Sequence, residues 1–304
     1  MSGRRPEEPS RSETDDATPS VNEALERGRR VLGARSGDDA GREALFLLAG
    51  LLGTSPGRAA LERDRSLSHD EWGEYQSRLR RRANGEPLQY IEGRAAFRNL
   101  SLRVDRSVLI PRPETEQLVE HVLQRCRAKE RLVGLDLGTG SGAIAISLLL
   151  EGPFRTFVAV DISAAALNVA RVNASEAGVA GRLDLRQASL FEALRPGERF
   201  HVIVSNPPYI ADGEAGSLPE EVRDWEPDVA LYAGPTGMEV IFEIVQAAPG
   251  YLEPGGLLAL EVAPTVADAA VQCLRESALY GEPRLTHDLA GQRRLLSAEL
   301  AGSR

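Results

Sequence analysis

LDLGTGSGAIAI, residues 135–146, runs from an apolar strand pattern through three glycines into a helical pattern. Gly138 and Gly140 allow a backbone to turn tightly and approach a ligand, and Gly142 opens a helix whose first N–H groups lack intrahelical partners. A nucleotide-like cofactor suits such a turn. One strand later, VAVDIS sets Asp161 at a strand's carboxyl end, where a carboxylate can accept from both ribose hydroxyls. Gly138, Gly140 and Ala143 also satisfy the GxGxxA form of the dinucleotide fingerprint, so the loop alone leaves a nicotinamide cofactor open.

Around this stretch, apolar strand candidates (LVGLD, TFVAVD, RLDLR, HVIVSN, GLLALEV) alternate with helical ones such as AIAISLLLEG and SAAALNVARVNASEAG, and RRLLSAEL reads as a last strand. That alternation predicts an α/β fold with a mostly parallel sheet wrapped by helices over residues 111–304. Residues 1–19 are polar and rich in Pro, Ser and acid, the composition of a disordered tail. Residues 20–85 read as a small all-helical domain, with Gly53 as a helix stop. Within it RLRRR gathers Arg78, Arg80, Arg81 and Arg82, a solvated face or a contact surface for an acidic partner. From Tyr90 to Ile110 the sequence alternates like paired strands, giving a β-hairpin connector over residues 86–110, and PRPETEQLVEHVL then opens a helix with Pro113 in its first turn.

With 304 residues, 42% of them hydrophobic, there is enough apolar material to bury a large domain and a small one. Cys126 and Cys273 have no paired spacing, and the four histidines no ligand spacing, so neither disulfides nor a metal is expected. The longest largely apolar run, Ala143–Leu150, is far short of the roughly 20 residues that cross a bilayer. A cytoplasmic protein without membrane association is expected. A formal net charge of −9 argues against stable binding along a nucleic-acid backbone.

SNPPYI, residues 205–210, follows the apolar run HVIV. At a strand's carboxyl end the amide oxygen of Asn206 and the backbone carbonyl oxygen of Pro207 make a pair of acceptors, matched to the two diverging donors of a planar –NH2. Pro207 and Pro208 fix the backbone and offer no competing N–H, while Tyr209 can cover the planar group's face. An amide nitrogen is a poor nucleophile, because its lone pair is delocalised. Two carbonyls that favour its developing positive charge therefore lower the barrier. Together with the lack of a hydride-handling constellation, this motif favours S-adenosylmethionine over a nicotinamide cofactor.

These residues resemble the release factor glutamine methyltransferases over about residues 40–300, through RRRANGEPLQYIEG, LIPRPETE, LDLGTGSGAIAI, VAVDIS, SNPPYI, WEPDVAL and LEPGGLLALEV. The resemblance implies a Rossmann-like, seven-stranded class I methyltransferase domain behind a helical domain that docks class I peptide release factors. It implies that Gly138, Thr139, Gly140, Ser141, Gly142, Asp161 and Leu190 line S-adenosyl-L-methionine, with Asn206 touching it too. Asn206, Pro207, Pro208 and Tyr209 would hold the glutamine of the Gly-Gly-Gln tip. Apart from the resemblance, a monomer is expected. Three departures from the family pattern, Ser189 before the adenine-side position, AGPTG at 233–237 and EVA at 261–263, bear on cofactor affinity more than on reaction type. The competing readings are a nucleic-acid amino methyltransferase, which uses a similar acceptor motif on a flipped base, and a non-catalytic adaptor of the same fold.

Overall fold

The computed structural model describes residues 18–302. Residues 1–17 of the expected tail lie outside the described residues, whereas Pro19 is buried and accepts the Leu67 N–H at 2.9 Å. The polypeptide divides into two compact units, one ending at Glu92 and one starting at Gly93.

The first unit is helical: α1 (Val21–Ser36), α2 (Ala40–Leu51), α3 (Pro56–Leu61), α4 (His69–Ala83) and α5 (Leu88–Glu92). Capping boxes start two of them, with Ser20 and Glu23 closing α1 and Ser68 and Glu71 closing α4. Leu32, Leu47, Leu48, Leu67 and Tyr75 are fully or almost fully buried between α1, α2 and α4. Each of these residues contributes about 1.5–3 kcal/mol by leaving water. The arginine run is not a uniform basic face. Arg78 pairs with Glu74, Arg81 with Glu86, and Arg82 is buried in a two-toothed pair with Glu43 at 2.7 and 2.8 Å.

The second unit opens with a hairpin, β1 (Arg94–Phe97) and β2 (Leu100–Arg103), paired antiparallel. These strands are shorter than the span from Tyr90 to Ile110 that alternation suggested. Tyr90 lies in α5, and past Val104 the Asp105 carboxylate accepts the Ser107 N–H, folding an Asx turn that ends the extended run. There follow α6 (Pro113–Cys126), β3 (Leu132–Leu137), α7 (Ala143–Glu151), β4 (Phe154–Asp161), α8 (Ala164–Glu176), β5 (Leu183–Gln187) and β6 (Phe200–Ser205). Short elements come next: β7 (Ile210–Ala211), α9 (Glu220–Arg223), α10 (Asp228–Leu231) and β8 (Tyr232–Gly234). Last in order are α11 (Glu239–Ala247), β9 (Leu252–Glu261), α12 (Ala267–Glu276), β10 (Arg284–His287) and β11 (Arg293–Glu299).

The main sheet has seven strands in the order β10-β11-β9-β6-β3-β4-β5, with β9, β6, β3, β4 and β5 parallel and β11 antiparallel to both its neighbours. Successive strand residues point to opposite faces. Val202, Val204, Phe157 and Ala159 therefore join the core under α6 and α7, while Leu135, Leu137, Ile203, Leu258 and Leu260 join the one under α11 and α12. Burial on both faces explains why these strands read as nearly unbroken apolar runs. Among the described residues no helix is long and apolar enough to cross a membrane, and no cluster of His, Cys, Asp and Glu could hold a metal.

Candidate active site

Parallel strands end together. Leu137 pairs with Ser205 across β3 and β6, and Asp161 closes β4 beside Leu137. The Ser205 hydroxyl donates to the Leu137 carbonyl at 2.7 Å, locking the two strand ends. Gly138, Asp161 and Asn206 thus leave three adjacent strands at one carboxyl edge, where open α/β sheets build their crevices. A continuous cavity runs along that edge, from Ala188, Ser189 and Leu190 past Asp161 and Gly138–Ser141 to Asn206, Pro208 and Thr115.

The glycine loop takes left-handed backbone at all three glycines, with φ of 69° at Gly138, 55° at Gly140 and 81° at Gly142. Asp161 holds this loop from the neighbouring strand: one carboxylate oxygen accepts the Gly140 N–H at 2.8 Å, the other the Ser163 N–H at 2.9 Å. Both oxygens keep further lone pairs for a ligand. Burial raises its pKa, against the backbone N–H groups of Ser163 and Gly140. Asp136, fully buried below the loop, accepts the Thr139 hydroxyl at 2.7 Å, and burial pushes it up to about 7. Leu190, a non-glycine with φ of 42°, lines the far end.

Of the four residues of NPPY, Asn206 and Pro208 line the cavity and Pro207 is buried. Tyr209 is not among the residues that line the cavity; partly buried, it packs against the core, its hydroxyl 3.4 Å from Glu261 Oε1 at the end of β9. Burial raises the Tyr209 phenol, and the Glu261 charge adds to it. Behind Asn206 runs a series of hydrogen bonds that the sequence did not reveal. Asn206 Nδ2 donates to Thr115 Oγ1 at 3.2 Å, and Thr115 Oγ1 donates to Glu261 Oε2 at 2.7 Å. Thr115 and Glu261 both stand in motifs visible in the sequence, LIPRPETE and LEV. Their partnership across 146 residues has no local signal. Glu261 is 1% exposed, and burial pushes it up to about 7 against the Thr115 hydrogen bond and the Arg294 charge.

The wall formed by residues 107–111 is fastened to the wall formed by residues 227–232. Arg112 donates to the buried Glu226 at 2.5 Å, and the Arg106 guanidinium lies 3.9 Å from the centre of the Trp225 ring. A second close approach explains a glycine in AGPTG. A Cβ on Gly237 would stand 2.5 Å from the Tyr209 carbonyl oxygen, at a φ of 78°. Gly237→Ala is expected to destabilise the fold by about 1–3 kcal/mol through this overlap and the left-handed backbone. It should also displace Tyr209 and slow turnover. An unchanged melting temperature would contradict both effects.

Two buried carboxyls at about 7 also predict a pH effect. Unfolded, each titrates near 4, so from roughly pH 4 to 7 the folded protein keeps protons that the unfolded one has released. The stability they provide is full below the unfolded value and is lost as pH rises through about 7. His121, which burial holds below the usual imidazole value, works in the opposite direction. The melting temperature of Glu261→Gln or Asp136→Asn should therefore fall less than the parent's between pH 5.5 and pH 8. Parallel slopes in all three proteins would show that neither carboxyl is protonated in the folded state.

A family model described as PrmC N-terminal domain matches residues 23–93, and one described as Methyltransferase small domain matches residues 113–219. A release factor glutamine methyltransferase of Cereibacter sphaeroides is 41% identical over 278 residues, 91% of this sequence and 98% of the relative. One of Rhodopirellula baltica is 40% identical over 227 residues, 73% of this sequence and 77% of the relative. Among solved structures, a T. thermophilus 16S rRNA N2 methyltransferase in complex with AdoMet and guanosine aligns with a TM-score of 0.53 at 21% identity, over 68% of this protein and 49% of the other. At that identity the likeness speaks for the fold: the seven-stranded, helix-flanked sheet is that of a methyltransferase.

Proposed function

Because the chain belongs to the release factor glutamine methyltransferase family, we propose that it methylates the side-chain amide nitrogen (N5) of the glutamine in the Gly-Gly-Gln motif of class I peptide release factors. Its cofactor is S-adenosyl-L-methionine, which supplies a methyl group on positively charged sulfur. The cavity suits that molecule: Ala188 and Leu190 offer apolar surface to an adenine, Asp161 accepts from ribose hydroxyls, and the glycine loop lets the rest of the molecule pass close to backbone. Asn206, beside Gly138 at the same edge, is the observation that carries the proposal, because it puts an amide-reading group next to the cofactor's path.

Asn206 Oδ1 and the Pro207 carbonyl accept the two N–H groups of the glutamine amide, fixing its plane. In the transfer the methyl carbon's bond to sulfur would break as its bond to nitrogen forms, leaving a neutral thioether; the nitrogen would gain positive charge, which the two carbonyls favour more than they favour the neutral amide, until it releases one N–H proton to water. Orientation of the nitrogen along the breaking bond contributes further, up to about 7–11 kcal/mol in well-aligned systems. The helical unit, residues 20–85 in the sequence-based division, would dock the release factor, with the hairpin segment as connector.

Incubation of the purified protein with radiolabelled S-adenosyl-L-methionine, and separately with release factors, tRNA, rRNA and DNA, tests the proposal. Label in the release factor alone is expected. Label in a nucleic acid, with none in the release factor, would replace it by the nucleic-acid reading.

A further inference from the structure

Glu261, Thr115 and Asn206 form a hydrogen-bonded relay with a fixed direction. Above about pH 7, where Glu261 is ionised, its carboxylate only accepts, so the Thr115 hydroxyl must spend its one proton on Glu261 Oε2 at 2.7 Å. That leaves Thr115 Oγ1 a lone pair for Asn206, and an acceptor there requires the amide to present Nδ2, as it does at 3.2 Å. With Nδ2 held behind, Oδ1 is the end of the amide left for the cavity. We propose that Thr115 and Glu261 are positioning residues that set the sense of the Asn206 amide, and with it the site's choice of a donor group such as –NH2 over a carboxylate. Glu261 serves the other side of the motif as well, since Oε1 lies 3.4 Å from the Tyr209 hydroxyl.

The placement is not accidental packing of surface groups. Glu261 ends β9, whose neighbour β6 delivers Asn206, and Thr115 stands in the first turn of α6, so three separate elements converge on one buried relay. Thr115 and Glu261 are 4% and 1% exposed, deep enough that an unmatched hydrogen-bonding group is costly and the order of donors is enforced. Arg294 and Glu114 are the charged groups that act on Glu261 from outside the relay, with opposite signs.

The role of Thr115 and Glu261 rests on Asn206 being the amide acceptor proposed above, and the experiment separates the two. Thr115→Val removes the hydroxyl at nearly constant volume. It should lower kcat/KM by about 10- to 100-fold while the dissociation constant of S-adenosyl-L-methionine, measured by calorimetry, stays within about twofold. Thr115→Ser, which returns the hydroxyl, should recover most of the loss. A release factor carrying glutamate in place of its target glutamine, used as a competitive inhibitor, gives the readout that a purely structural defect would not move. Freed to rotate, the Asn206 amide can present Nδ2 to a carboxylate, so the preference of Thr115→Val for the glutamine form should narrow about tenfold. Glu261→Gln, which can donate to Thr115 and reverse the relay, should narrow it too and serves if the valine variant does not fold. Parent-like kcat/KM and an unchanged preference in these variants, with Asn206→Ala inactive, would overturn the positioning role and spare the acceptor; an active Asn206→Ala would overturn both.

Discussion

Asn206→Ala should bind its methyl donor and fail to use it. In the proposed reaction its amide supplies one of two carbonyls that meet the reacting nitrogen, and removal of a single preorganised partner of developing charge costs about 100- to 1,000-fold in turnover. Two further losses add to this here. Thr115 Oγ1 loses the donor it accepts from, and the glutamine amide loses the contact that fixes its plane. Asn206 is only one of the cavity's lining residues, and Asp161 and the glycine loop remain, so cofactor affinity should change by no more than a few-fold. Single-turnover methylation of a release factor, paired with calorimetric titration of S-adenosyl-L-methionine, reads both quantities. Turnover equal to the parent's would remove the basis for the acceptor pair.

Asp161→Ala should show the converse pattern, with the damage falling on cofactor affinity. The carboxylate accepts the Gly140 N–H at 2.8 Å and the Ser163 N–H at 2.9 Å, so its loss frees the glycine loop as well as removing the acceptors proposed for the ribose. Hydrogen bonds to a charged group contribute about 1.5–3 kcal/mol each. A dissociation constant at least about 100-fold weaker is therefore expected, with turnover at saturating cofactor reduced far less. Unaltered affinity would mean that Asp161 anchors the loop without touching the ligand.

Much of the sheet was legible because its strands are buried on both faces and carry their pattern locally: LVGLD, TFVAVD and HVIVSN all fall on observed strands. The glycine turn was legible for a similar reason, as three glycines within five residues announce left-handed backbone. What escaped was nonlocal. Nothing near Thr115 indicates that its hydroxyl faces a glutamate at the end of β9, and nothing near Gly237 indicates that a carbonyl of NPPY presses on it. Arg82 was misleading in the opposite way. It sits in a run that looks solvated, yet it is buried by a partner 39 residues earlier. The sequence also ascribed to Asp161 a duty toward a ligand and gave no hint of its duty toward Gly140.

The convergence of the cavity's residues on one edge of the sheet leaves the opposite edge free for engineering. The turn of residues 195–197, exposed and leading into β6 from that far side, has open space around Gly197. A cysteine-linked dye or a short affinity peptide grafted there is separated from Asn206 by the whole length of a strand, and so offers a handle for following substrate encounter in a catalyst left otherwise intact.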